Sequence, residues 1–311
     1  MKIDFQLGDT PRNGTVTTVG SFDGVHLGHQ HIVAQMHLEA NLRGLSTLVA
    51  SFHPHPREVL SGECTQLLTP VLERTQCLSA LKVQHHALVP FDEALSSMEP
   101  EEFVQVVLVD VFKIKMIIVG YDHRFGKGRR GDIHLLRKMG SNLGFDVLEC
   151  KEVAVDGVTV SSSKIRSFAQ NGQVAEARQM LGRHYALTGN VIHGSGRGRG
   201  IGIPTANIEV HPAEKLIPSS GVYAVRVEIV DAGTRLGGMM NIGSRPTFEG
   251  SEDVTIEVHL FDYDGDLYDR EVRVEFVERI RDERKFDSVS HLIEQLNRDR
   301  VRCIGLLRAV S

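Results

Sequence analysis

Near Gly157 the hydrophobic pattern of this 311-residue chain changes character, and one layer architecture does not accommodate both halves. Before that point short aliphatic runs alternate with helix-like segments. Thr15–Val19 reads as a strand that runs into a Gly-rich turn, Gly20–Gly28. Ile32, Val33, Met36 and Ala40 then share one helical face, and Gly44 is the expected stop. Leu45–Phe52 is a second strand, ending at His53-Pro54-His55-Pro56, where the prolines predict a loop. Phe103–Phe112 reads as a helix, Lys115–Val119 as a third strand and Phe145–Cys150 as a fourth. Strands separated by helices predict a parallel sheet covered on both faces.

Beyond Gly157 two short helices are expected, Ser163–Gln170 and Val174–Leu181, broken by Asn171-Gly172 and closed by Gly182. Ala186–His193, Gly221–Val230, Arg235–Ile242, Val254–Asp262 and Val272–Arg279 follow as strand-like runs with no helix between them, which predicts an antiparallel barrel or sandwich. Val289, Leu292, Ile293 and Leu296 mark a final helix. The fold class is therefore α/β plus β, with a first domain over 1–184 and a second over 185–311.

Hydrophobic residues make up 41% and charged residues 24%, with a net charge of −5, so nucleic acid and acidic membranes exert no global attraction on the chain. No run of about 18 apolar residues is present, which predicts no membrane-spanning segment. The first residues lack the apolar core of a signal peptide, and the four cysteines, Cys64, Cys77, Cys150 and Cys303, form no CxxC or CxxH pair. A cytoplasmic protein with free thiols and no zinc site is expected.

The chemistry of the first half centres on Gly20-Ser-Phe-Asp-Gly-Val-His-Leu-Gly-His29, at the junction of a strand and a helix. Gly28 permits close approach of a phosphate to the backbone, and the helix that begins beside it points its positive end at that phosphate. Two imidazoles, His26 and His29, can donate hydrogen bonds to charge developing on it. Gly120–Lys127 is not a P-loop, because its spacing is one residue too long and Gly128 stands where Ser or Thr would bind Mg²⁺. The Gly-rich stretch at 194–202 never satisfies GxGxxG. In the second half, Gly198-Arg-Gly-Ile-Gly-Ile-Pro-Thr-Ala-Asn207 precedes a run of strands, and Thr205 and Asn207 offer hard oxygen ligands. Along 254–262, Val254, Ile256, Val258 and Leu260 share one face, whereas Thr255, Glu257, His259 and Phe261 share the other.

The string at 20–29 resembles the HxGH signature of the nucleotidylyltransferase superfamily, in the form found in bacterial bifunctional riboflavin kinase/FAD synthetases. Further matches follow in order: Ser51–Pro56, Val119–Gly126, Val160–Arg166, the PTAN string ending at Asn207, Asn241–Phe248, Glu257–Tyr268 and Arg281–Phe286. The resemblance implies a Rossmann-like nucleotidylyltransferase domain and an antiparallel barrel kinase domain. It further implies ATP-dependent phosphorylation of riboflavin to FMN and adenylylation of FMN to FAD.

The resemblance also implies site roles. His26 and His29 are catalytic in adenylyl transfer, and Gly20, Phe22, Gly28, Ser162, Ser163 and Arg166 bind ATP. Gly198, Thr205 and Asn207 bind ATP in the kinase, Thr205 and Asn207 hold Mg²⁺, and Glu257 is the catalytic base. Asp122, Arg124, Arg281 and Phe286 border the flavin. The implied partners are small molecules, riboflavin, FMN and ATP, with no nucleic acid and no membrane. The competing readings are a chain that retains one activity, a nucleotidylyltransferase for another phosphate-bearing substrate, and a non-catalytic flavin-binding regulator.

Overall fold

The computed structural model describes residues 13–62, 64–194, 200, 202–246 and 252–309. Two compact units divide between Ser162 and Ser163.

The first unit is built on five parallel strands: β1 (Thr15–Val19), β2 (Ser46–His53), β3 (His85–Pro90), β4 (Ile114–Gly120) and β5 (Asp146–Cys150), in the order β3-β2-β1-β4-β5. Successive residues feed opposite faces. Leu48, Ala50, Ile117 and Val119 join one apolar cluster, whereas Val49, Met116 and Ile118 join another. Both faces are thus buried, as a parallel sheet requires. The helix Leu27–Arg43 covers the second face with Val33, Met36 and Ala40, and Gly44 ends it in the left-handed conformation at φ 66°.

Several elements of this unit escape the sequence pattern, among them β3, the helix Val71–Ala80 that precedes it and the helix Ile133–Leu143. β3 is an edge strand that buries only Ala87 and Val89, too few for a legible alternation. The expected helix at Phe103–Phe112 is present, but Phe103–Val111 has π-helical hydrogen bonding. Its buried residues, Phe103, Val104, Val107 and Leu108, keep ordinary helical spacing, so the wider pitch leaves no trace in the pattern.

The helix Ser162–Gln170 starts with the last residue of the first unit, and in the second unit it and the helix Val174–Leu181 precede β8 (Ala186–Ile192), β9 (Ala206–Val210), β10 (Gly221–Ile229), β11 (Thr234–Pro246), β12 (Glu252–Leu260) and β13 (Glu271–Arg281); a small hairpin, β6 (Ala154–Val155) and β7 (Val158–Thr159), lies near the end of the first unit. The six strands β8–β13 close in the order β10-β11-β12-β9-β8-β13, every pair antiparallel, which decides for a barrel over a sandwich. β9 is unforeseen: it is short and fully buries only Ile208. The closing helix, Val289–Ala309, packs Cys303 against Val222, Ala224, Met239 and Val277, helped by Leu296, Ile304 and Leu307. Val289, expected on its apolar face, is 60% exposed.

The helical pair lies N-terminal to the expected division at 184 but groups with the barrel. Val174–Leu181 packs on β13, and the Ser219 N–H donates to the Ala169 carbonyl at 3.4 Å. Gly172, at φ +72°, lies where a Cβ would sit 2.7 Å from Arg279 Cδ and from Ser219 Oγ. Val174, Ala177, Met180 and Leu181 are all buried. A fragment starting at Ser163 is therefore expected to melt well above one starting at Tyr185. Removing Val174, Met180 and Leu181 should cost about 1.5–3 kcal/mol per side chain, and thermal unfolding of the two fragments, followed by circular dichroism, checks the order.

Candidate active sites

β1 and β4 are neighbours, yet the chain leaves them in opposite directions, β1 toward β2 and β4 toward β5. Ligands of open α/β sheets bind at such a switch, beyond the carboxyl ends of the strands. The loop after β1 carries the Gly20–His29 string, and the loop after β4 carries Asp122 and Arg124.

His26 caps the helix Leu27–Arg43: its Nδ1 accepts from the His29 N–H at 3.4 Å. An accepting Nδ1 places the proton of the neutral ring on Nε2, which becomes a donor. The His26 and His29 rings stack at 3.7 Å, 14° from parallel, and Phe22 stacks on His29 at 4.5 Å. Phe22 and His26 are buried, so the His29 ring is held between two nearly fixed planes. A Cβ on Gly28 would lie 3.2 Å from both Cε1 and Nδ1 of His26, so the glycine also makes room for the capping ring.

Two charged residues that the sequence pattern does not single out support this turn. The Asp23 carboxylate, 0% exposed, accepts from the N–H groups of Leu68 at 3.2 Å and Thr69 at 2.9 Å. Arg74, 1% exposed, donates to the Ser21 carbonyl at 2.7 Å and to the Phe52 carbonyl at 3.2 Å. Burial pulls its guanidinium below the ordinary arginine range, and the Asp23 charge opposes that shift. A buried charge is legible only through its partners, and these are backbone carbonyls far away in sequence.

Of the expected phosphate ligands, Ser162 Oγ donates to the Asp23 carbonyl at 2.8 Å, which ties it to the motif turn. Ser163 and Arg166 follow on the helix Ser162–Gln170. Asp122 and Arg124 are exposed, and Arg124 pairs at 3.2 Å with Asp132, the N-cap of the helix Ile133–Leu143.

In the barrel, Ile256, Val258 and Leu260 are buried, while Thr255, Glu257 and His259 are only half-buried on the opposite face. Thr205 Oγ1 donates to Glu257 Oε2 at 3.1 Å. Strand register sets Asn207 of β9 and Asn241 of β11 directly opposite Glu257, so the three align across adjacent strands on one face. His259 Nδ1 meets the Pro204 carbonyl at 2.8 Å, which pins the segment before β9 across β12. A Cβ on Gly194 would overlap the Asn207 amide. Gly198 lies outside the described residues. Beside this face is a cavity of about 340 Å³ lined by Gly202, Ile203, Pro204, His259, Tyr263 and Arg300, among others.

Residues 9–164 match the FAD synthetase family model and residues 181–307 match the riboflavin kinase model. The chain is 37% identical over 295 residues to a bifunctional riboflavin kinase/FMN adenylyltransferase of Escherichia coli, covering 94% of this chain and 93% of the relative. It is 35% identical to one of Bacillus subtilis, covering 93% and 92%. The chain belongs to the bifunctional riboflavin kinase/FMN adenylyltransferase family. A crystal structure described as a macrolide-efflux protein from Streptococcus pneumoniae also superposes with a TM-score of 0.86, at 31% identity, over 95% of this chain and 94% of that one. Among the described residues no helix is long and apolar enough to cross a membrane.

The family resemblance directs attention to two more residues. Arg281 Nε donates at 2.8 Å to Asp299, which is 2% exposed, so this guanidinium ties β13 to the closing helix. The Phe286 ring lies under Arg284, 4.8 Å from its centroid, beside a cavity of about 270 Å³. Phe286 and Arg284 line this cavity, Arg284 also donates to Gln295 Oε1, and the Arg281 guanidinium lies 5.7 Å from the Phe286 centroid.

Behind the first site, His86 Nε2 lies 2.7 Å from Ser51 Oγ and its Nδ1 lies 3.0 Å from Thr75 Oγ1. Burial, reinforced by the Arg74 charge, pushes the imidazole down to about 4 from its ordinary 6.5. The unfolded chain therefore takes up this proton first as the pH falls. The His86 contribution to stability is complete above about 6.5 and is lost between there and about 4. Proton NMR of the His86 ring should show a midpoint near the lower value, and His86→Gln should flatten the loss of stability across that window.

Proposed function

We infer that this enzyme phosphorylates riboflavin to FMN in its second unit and adenylylates FMN to FAD in its first. The observation that carries the reading is that each matched region has its own polar site, and the two sites suit different chemistry. The first presents stacked imidazoles at a helix N-terminus; the second presents a carboxylate held by a hydroxyl and flanked by amides.

The phosphate of FMN is ionised at neutral pH and needs no base. One of its oxygens attacks the α-phosphorus of ATP, and the bond to the β-bridging oxygen breaks to release pyrophosphate. The protein has to align the groups and stabilise charge. His26, fixed as an Nε2 donor, and His29, fixed by stacking, supply hydrogen bonds to the α-phosphate oxygens. Gly20, Phe22 and Gly28 shape the turn around the nucleotide. Ser162, with Ser163 and Arg166, takes the phosphate role that the resemblance implies, and Asp122 and Arg124 border the ligand at the β4 loop.

Riboflavin presents an alcohol, which becomes a competent nucleophile when a positioned base accepts its proton. Glu257 takes that proton as the oxygen attacks the γ-phosphorus of ATP and ADP departs. The Thr205 hydroxyl, donating to Glu257 Oε2, fixes the orientation of that carboxylate. Phe286 offers a face to the flavin, and Arg281 anchors the segment that carries it.

Thr205 and Asn207 fit Mg²⁺ because both offer hard, neutral oxygens beside one carboxylate. Thr205 and Asn207 would hold the ion where it meets the phosphates of ATP. When bound, the ion neutralises phosphate charge. The need for ATP and the four unbridged cysteines support a cytoplasmic setting.

Incubation with riboflavin and Mg-ATP, followed by chromatography, tests the assignment. FMN and FAD together support it; FMN alone indicates a kinase only; flavin bound but unchanged indicates a regulator. His29→Ala should lower FAD formation from FMN by about 10²–10³ and leave FMN formation near normal. Glu257→Gln should lower riboflavin phosphorylation by about 10²–10⁴ and spare adenylylation of supplied FMN, because the amide keeps the size but accepts no proton. Paired assays of each variant check both outcomes.

A further inference from the structure

We propose that Arg74 is a positioning residue of the adenylyl-transfer site, acting through the backbone of the turn that carries His26 and His29; the proposal rests on the reading of that site given above. Arg74 is the largest fully buried side chain among the described residues. A position that only had to fill space would be served by leucine, whereas a buried guanidinium carries a desolvation cost that good geometry has to offset.

The geometry here joins separate segments. Nη1 holds the Ser21 carbonyl, just beyond β1, and Nη2 holds the Phe52 carbonyl near the end of β2. A planar fork can serve two diverging carbonyls at once, which the point charge of a lysine cannot. Three residues further along the turn, Gly24 donates to Thr69 Oγ1 at 2.7 Å, while Asp23 receives the N–H groups of Leu68 and Thr69. The turn is thus gripped from the β2 end by Arg74 and from the 68–69 segment through Asp23 and Gly24.

The grip matters because the turn is strained. Phe22 and Val25 have φ of 50° and 40°, a region that bulky and β-branched residues rarely occupy. Such conformations are costly and persist only where the surroundings over-determine them. Phe22 is the plane on which His29 stacks, and Val25 immediately precedes the capping His26. Releasing Ser21 would let the turn relax and carry the two imidazoles away from the α-phosphate without removing either of them.

The test uses full-length Arg74→Met, Arg74→Lys and Thr69→Val, assayed for FAD from FMN and for FMN from riboflavin, at a temperature well below each melting point. Misplacement of the histidines should lower kcat for FAD formation by about 10² in Arg74→Met and about tenfold in the other two, with KM for FMN within about threefold. FMN formation should stay within about twofold of wild type, since none of these residues belongs to the kinase site. A folded Arg74→Met enzyme with wild-type kcat, showing only a lower melting temperature, would overturn the proposal. Should that variant fail to fold, unchanged kcat in folded Arg74→Lys and Thr69→Val would overturn it equally. If the wild-type enzyme forms no FAD, the reading of the site falls and the proposal with it; if it does and the variants match it, the proposal alone falls.

Discussion

β1 is paired on both sides by parallel strands, β2 on one and β4 on the other, and the first unit depends on that arrangement. Parallel neighbours bring their carboxyl ends to the same edge of the sheet. The reversal of direction at β1 opens a crevice at that edge because the following connections lead away on opposite sides. The Gly20–His29 turn and the Gly120–Phe125 loop open onto that crevice. The helix Leu27–Arg43 starts there for the same reason, so the positive end of its dipole lies at that edge.

The barrel uses a different constraint. Antiparallel register places side chains of neighbouring strands opposite one another, so residues distant in sequence become a row. Asn207, Glu257 and Asn241 align in this way, although they lie on three strands. A carboxylate on the outer face of a barrel is ordinary; flanking by two amides and a bond from a threonine hydroxyl set Glu257 apart.

What could be read in advance follows from this physics. β1, the helix Leu27–Arg43 and its glycine stop were legible because hydrophobic period and capping chemistry are local. The face of β12 that carries Glu257 was legible for the same reason. β3 and β9 were not, because a short, half-buried strand has too few apolar positions to show a period. Nor could the division between units be placed from local pattern: the helical pair at 162–181 owes its allegiance to Ser219, Arg279 and β13, which lie far along the chain. Arg74 and Asp23 were invisible for a related reason. Their partners are backbone groups, which carry no signature in the sequence. Arg281 was reached through a motif match, whereas its bond to the buried Asp299 and its position over the Phe286 ring depend on contacts that no local pattern encodes.

The closed barrel leaves no strand edge among β8–β13, whereas the parallel sheet ends in two, β3 and β5. A second chain can extend only an open edge, and among the described residues β3 and β5 are the two outer strands of an open sheet. Both edges carry protection. β5 presents Asp146 and Glu149, each ion-paired to an arginine, and β3 ends in Pro90, which has no N–H to offer. Solubility at high expression, or during slow refolding of the parallel sheet, therefore hinges on a handful of edge residues remote from either site, while the barrel contributes no hazard of this kind.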